Sequence, residues 1–150
     1  MIASLLLMLA APQASPEAVV RQFVADYNAR GFDGLEAALA PDAKWYSVEG
    51  TAVAVEGDGV PSLMVWLRRY LIRSCPSCRS ELLAVTPSGN LVSTVERASW
   101  TRAGACVSQT SPAVYEVREG RIRAVWYFPA SPQTPCPPAA DAIVPPAASR

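Results

Sequence analysis

Tyr27, Glu96 and Arg97 are the side chains whose types and positions could do chemistry in this chain. Glu96 and Arg97 stand in the middle of VSTVERASW, and the two-residue period of a strand turns one of them inward and its neighbour outward. The register of the following RAGA turn decides which, and the sequence leaves that open. An inward Glu96, cut off from water, is a candidate general base. An inward Arg97 would point to an anionic ligand. The alternative to both is a surface pair bonded across strands. Tyr27 ends the apolar stripe of a long helix, where its hydroxyl can reach an interior as a hydrogen-bond donor or simply sit at the rim of packed rings. Trp45, Trp66, Trp100 and Trp126, together with Tyr115, are candidates for an aromatic wall against a flat hydrophobic ligand, core packing being the alternative.

The chain of 150 residues contains no histidine, so Ser47 has no partner to activate it and a Ser-His-Asp hydrolase is excluded. Glu49, at the end of the same segment, is at most a carboxylate on a rim. No metal site and no cofactor are expected, because zinc would need a second close cysteine pair or histidines. Thirteen basic residues balance thirteen acidic ones without a Lys/Arg cluster, so nucleic acid and acidic lipid are not expected partners.

Four cysteines, Cys75, Cys78, Cys106 and Cys136, suit an oxidising compartment and allow three pairings. Counting residues across the last hairpin sets Cys106 opposite about Gln133, which favours Cys106 with Cys136 and a local Cys75 with Cys78. The CPSC quartet follows a helix and precedes a strand, the reverse of a thioredoxin-like setting, so a staple is favoured over a redox pair.

The elements that must position these groups read clearly. Residues 1–15 hold an apolar run, Leu5 to Ala11, far shorter than the roughly 20 residues of a membrane span, and are expected to be a signal peptide. The expected location is therefore periplasmic or secreted, with no membrane anchor after cleavage; the alternative is a start placed upstream of a cytosolic protein. A first helix begins with Ser15 as cap and Pro16 in its first turn, buries Val20, Phe23, Val24 and Tyr27, and ends with Gly31 as the left-handed residue. A second starts at Asp33 with Glu36 completing a capping box. Strands follow over Lys44 to Glu49 and Ala52 to Glu56, then a third helix over Pro61 to Arg73.

From Arg79 the pattern is a meander of four strands, Arg79 to Thr86, Leu91 to Thr101, Val107 to Val117 and Arg121 to Phe128, joined by glycine-containing turns. Equal distance from the last turn pairs Val117 with Ile122, Tyr115 with Ala124 and Ala113 with Trp126 on an apolar face, and Glu116 with Arg123 and Val114 with Val125 on a mixed one. Val114, Val125 and Tyr127 on that mixed outer face suggest a homodimer contact. The domain is expected to run over 16–130. Residues 131–150, rich in proline and alanine, are not expected to continue the sheet and are expected to form a disordered tail.

YNARGFDGLEAAL, APDAKWY, VEGDG and the hairpin VYEVREGRIRAVWYF together resemble the nuclear transport factor 2-like superfamily and, within it, the SnoaL-like proteins, from about Pro16 to Phe128. The resemblance implies an α+β, cone-shaped fold with three N-terminal helices packed on a curved, mostly antiparallel sheet around a hollow. It does not assign a reaction, because the superfamily holds isomerases, cyclases, hydrolases and binding proteins. Tyr27 falls at the place of the oxyanion-donor tyrosine of the family's ketosteroid isomerase, but that enzyme's base falls at Ser47 and its protonated acid at Ala113. The Asp-Arg-Asp set of the family's epoxide hydrolases has no counterpart, because Asp58 is followed only by Asp141.

Two readings follow. One is an exported protein that binds a small hydrophobic molecule without catalytic groups. The other is an isomerase, cyclase or hydrolase-type enzyme with Glu96 as general base and Tyr27 as donor. The direction of Glu96 discriminates them: inward and near a site shared with Tyr27 favours the enzyme, whereas outward on an arginine favours the binder. A filled cone would instead mean a purely structural module.

Overall fold

The computed structural model describes residues 13–138; the expected leader therefore falls outside the described residues up to 12, and the expected tail does so from 139 onward. Helix α1 spans Pro16–Ala29, opened by Ser15, whose hydroxyl accepts the Ala18 N–H at 3.2 Å. It buries Val19, Val20, Phe23 and Val24. The left-handed position that closes it is Arg30, with φ 61°, and not Gly31 as expected, whose φ is −75°. A non-glycine left-handed residue costs roughly 1–2 kcal/mol. Arg30 offsets that cost with its guanidinium, which donates to the carbonyls of Tyr27, Asn28, Pro76 and Cys78. Helix α2 is Phe32–Ala37 and starts at Gly31 without a side-chain cap, so the capping box expected at Asp33 does not form; Asp33 lies in the first turn.

The first strand, β1, spans Leu39–Glu49 and β2 spans Ala52–Asp58. β1 begins earlier than expected because Leu39 lies beside Ile122 and the Ala38 carbonyl accepts the Ile122 N–H at 2.8 Å. Helix α3 is Val60–Arg69 and passes into a single π-helical turn over Tyr70–Ser74, rather than continuing as α-helix to Arg73. The Cys75 N–H reaches back to the Tyr70 carbonyl at 2.8 Å, a wider turn of the kind that often marks functional sites. Gly57 is needed where β2 meets α3, because a Cβ there would fall inside the Leu63 side chain.

The remaining strands are β3 Arg79–Ser88, β4 Leu91–Arg102, β5 Ala105–Arg118, β6 Arg121–Tyr127 and the short β7 Thr134–Pro135. They join in the order β2-β1-β6-β5-β4-β3, with β7 beside β5. Among the described residues only the β1–β6 pair is parallel. The architecture is thus the expected α+β one, three helices against a curved, mostly antiparallel sheet that does not close on itself. The core gathers α1, α2, α3 and the inner sheet face, with Val20, Leu35, Leu63, Leu67, Leu71, Tyr115 and Ile122 almost wholly buried.

Two expectations about the last hairpin are corrected. Val117 lies opposite Ile122 as expected, but a bulge then sets Glu116 against Ala124, Tyr115 against Val125, Val114 against Trp126 and Ala113 against Tyr127. The extra residue is Arg123, which has no partner on β5 and whose side chain pairs with Asp42 at 3.0 Å on the surface. A one-residue slip exchanges the two faces. Val125 and Tyr127 therefore turn inward, while Trp126 turns outward and stacks on Tyr46 with centroids 5.4 Å apart.

The second correction concerns the segment after Phe128. The Phe128 and Ser131 N–H groups donate to the Pro112 and Thr110 carbonyls, and Thr134–Pro135 pairs with β5. Proline thus does continue the sheet here, at an edge where its missing donor is not needed. The structure carries the disulfides Cys75–Cys78 and Cys106–Cys136, and the second pins this returning segment.

Candidate functional site

Strand β4 alternates Val92, Thr94, Glu96 and Ala98 toward the helices, which turns Glu96 inward and Arg97 outward. Arg97 pairs with Glu81 of the neighbouring strand at 2.9 Å on the outer face, so it is not a ligand contact in the hollow. Glu96 is only 4% exposed, yet it has no cationic partner among the described residues. Four hydroxyls hold it instead. Oε1 accepts Tyr115 at 2.6 Å and Thr94 at 2.9 Å; Oε2 accepts Tyr127 at 2.8 Å and Ser80 at 3.2 Å. The two phenol oxygens are themselves 2.9 Å apart. Four neutral donors fill the acceptor positions of a carboxylate and offset its removal from water.

Burial, reinforced by the neighbouring phenol and by the Glu96 charge, pushes Tyr115 well above the usual phenol range. Burial and then the Glu96 charge do the same to Tyr127. Both therefore remain protonated donors across ordinary pH. Tyr27 is raised mainly by burial, then by Tyr70, with the nearby Arg30 opposing. Arg30 stands over its ring, 5.9 Å from the centroid, and no side chain among the described residues takes its hydroxyl in a hydrogen bond.

These groups face one cavity of about 270 Å³. Its apolar wall is Phe23, Val24, Trp45, Trp66, Leu67 and Tyr70, and its polar end is Ser80, Glu96, Gln109 and Ser111, with Ala98 between them and Tyr27, Tyr115 and Tyr127 completing the lining. The rings are arranged in layers: Trp45 stacks on Tyr127 at 5.3 Å, Trp66 stacks on Tyr70 at 5.2 Å, and Trp45 leans on Trp66 at 6.2 Å. Trp66 is 44% exposed and stands at the open side.

Of the residues singled out by sequence, the structure brings together Tyr27, Trp45, Trp66, Glu96 and Tyr115 in this cavity. Three others are elsewhere. Arg97 is outward by alternation, Trp126 is outward because of the Arg123 bulge, and Trp100 lies beyond Ala98 at the end of β4, half-buried and outside the lining. Ser47 donates to Glu56 at 2.6 Å, and Glu49 is exposed. Ala113 is buried against Tyr127 and offers no acid. Sequence reasoning missed Tyr127, Tyr70, Ser80 and Thr94. Thr94 shares the strand period of Glu96 and was findable, whereas Tyr127 was hidden by the bulge. Among the described residues no group of three or more Cys, Asp or Glu side chains could hold a metal, and no helix is long and apolar enough to cross a membrane.

Residues 20–125 match the SnoaL-like domain family. No curated protein matches the chain. Among solved structures, the chain is similar to an uncharacterized cystatin fold protein from Novosphingobium aromaticivorans, at 20% identity over 77% of this chain and 99% of the other, with a TM-score of 0.67. It is similar to an NTF2-like protein of unknown function from Burkholderia pseudomallei, at 19% identity over 76% and 90% with a TM-score of 0.63. A third is an LEH-like epoxide hydrolase from M. tuberculosis, at 23% identity over 75% and 80% with a TM-score of 0.61. Likeness at these identities establishes the fold alone.

Proposed function

The chain belongs to the SnoaL-like domain family, and from that premise we propose that its cone is a binding chamber for a small, mainly apolar molecule. The observation that carries this reading is the aromatic-walled cavity of about 270 Å³ with polar groups gathered at one end. Concave, largely apolar sites with a few convergent polar groups are the usual form of small-molecule sites. Rings stacked in layers offer flat faces, while the free hydroxyl of Tyr27 and the side chains of Gln109 and Ser111 can orient a single oxygen or nitrogen.

The enzyme reading gains one specific support, the inward direction of Glu96. Against it stands the saturation of the carboxylate: both oxygens already accept two hydroxyls each. A general base needs a lone pair for the incoming proton, so Glu96 would have to shed a donor first. As it stands, the group serves better as an anchor that aims Tyr115 and Tyr127. The deciding test is a fluorescence titration with 1-naphthol, a neutral ring with one hydroxyl, reading Trp45 and Trp66. Saturable quenching that disappears in Ala98→Trp, a variant that fills the chamber, supports the binder; an equal response in both proteins overturns it. Turnover of any such ligand that depends on Glu96 would favour the enzyme.

Two further parts of the reading concern setting. Export to the periplasm or outside the cell is supported by the two disulfides, which persist in oxidising compartments, and cell fractionation tests it. A homodimer through the outer sheet face is supported by the exposure of Val53, Val55, Val95 and Phe128 and by the outward direction of Trp126. Sedimentation at twice the mass of one chain tests that.

A further inference from the structure

Seven of the fourteen residues lining the cavity are aromatic, and no lysine or arginine is among them. The single formal charge in the lining is the Glu96 carboxylate, held by neutral hydroxyls with no ion-pair partner. The nearest cations lie outside the lining, behind Tyr27. Arg30 spends its guanidinium on four backbone carbonyls, and Arg79 donates to the Cys78 carbonyl. The one formal charge inside the lining is thus negative, and the faces of the rings around it are negative as well.

We propose that the chamber selects small organic cations, ammonium ions with an apolar body, with the cationic head among the rings of Trp45, Trp66 and Tyr70 and within the field of Glu96. This deepens the binding reading and rests on it. Rings attract a cation placed over their faces, most strongly where water is excluded. The carboxylate need not touch the ligand, because in an interior of low dielectric its charge acts over several ångströms. An alkylated ammonium also tolerates the loss of water better than a bare one, since it has few or no N–H groups to leave unpaired. The same field disfavours carboxylate and phosphate ligands.

The test compares three soluble compounds of one shape: choline, its neutral carbon analogue 3,3-dimethylbutan-1-ol, and the anion 3,3-dimethylbutanoate, each titrated into the full protein by tryptophan fluorescence. The expected result is about tenfold tighter binding of choline than of the alcohol, the ratio that cation–π attraction in a dry site supports, with the anion weakest. Glu96→Gln should reduce that ratio. Trp66→Leu, at a half-exposed wall position that makes no hydrogen bond to the buried hydroxyl network, should reduce it independently, with circular dichroism confirming that both variants fold. Equal binding of choline and the alcohol overturns the cation inference while leaving the chamber intact. Tightest binding of the anion overturns it as well. If none of the three binds and 1-naphthol also fails, the chamber itself is refuted along with the inference.

Discussion

Replacing Tyr115 by Phe removes one oxygen from the interior and nothing else, which makes it a sharp test of the network around Glu96. The phenol is wholly buried and donates to Oε1 at 2.6 Å. A hydrogen bond to a charged acceptor contributes about 1.5–3 kcal/mol. Oε1 keeps Thr94 as a donor at 2.9 Å, so the carboxylate is not orphaned and the loss belongs toward the lower part of that range, about 2 kcal/mol. For a domain of this size that corresponds to a fall in melting temperature of roughly 8 °C. The assay is denaturant unfolding of the wild type, Tyr115→Phe, Glu96→Gln and the double variant. Because the two groups touch, their effects should not add, and the coupling should be about 1 kcal/mol or more. A Tyr115→Phe variant within about 0.5 kcal/mol of wild type, the range of an ordinary surface change, would refute the claim that the phenol holds a buried carboxylate.

Other consequences are as specific. Tyr27, Tyr70, Tyr115 and Tyr127 all have phenols raised above the ordinary value, so the folded state holds their protons more tightly than the unfolded chain does. Their contribution to stability is complete below about pH 10 and is lost as pH rises beyond it; alkaline unfolding should be steep and should flatten in Tyr127→Phe. Gly57→Ala should cost about 1–3 kcal/mol in chemical denaturation, because its methyl group would displace Leu63. Removing Cys106–Cys136, with a sequence separation of 30, should cost about 3–4 kcal/mol, against about 2 for Cys75–Cys78 with a separation of 3. Arg97→Gln breaks only a half-exposed pair with Glu81 and should change stability by less than about 1 kcal/mol, with ligand binding untouched.

Much of the frame was legible because local rules and tertiary packing agree there. Ser15 and Pro16 start α1 where capping chemistry puts them, and glycine turns separate the strands of the meander. The failures share one cause, a long-range contact that overrides a local preference. Arg30 takes the left-handed position because carbonyls from the distant Pro76 and Cys78 receive its guanidinium. β1 starts at Leu39 because β6 lies alongside it. The bulge at Arg123, whose side chain meets Asp42 eighty-one residues away in sequence, moves Tyr127 into the site and Trp126 out of it. Strand period alone could say that Glu96 and Arg97 face opposite ways; only the assembled sheet gives the inside to Glu96. The four-hydroxyl shell around it joins β3, β4, β5 and β6, a convergence that no single segment displays.

The most direct measurement is a crystal structure of the protein soaked with 1-naphthol. The account predicts the naphthalene ring between the Trp45 and Tyr27 side of the cavity, its oxygen toward Gln109, Ser111 and Tyr27, and Glu96 still bonded to Tyr115 and Tyr127. A chamber filled by its own side chains, or Glu96 turned out to solvent with the phenols parted, would contradict it.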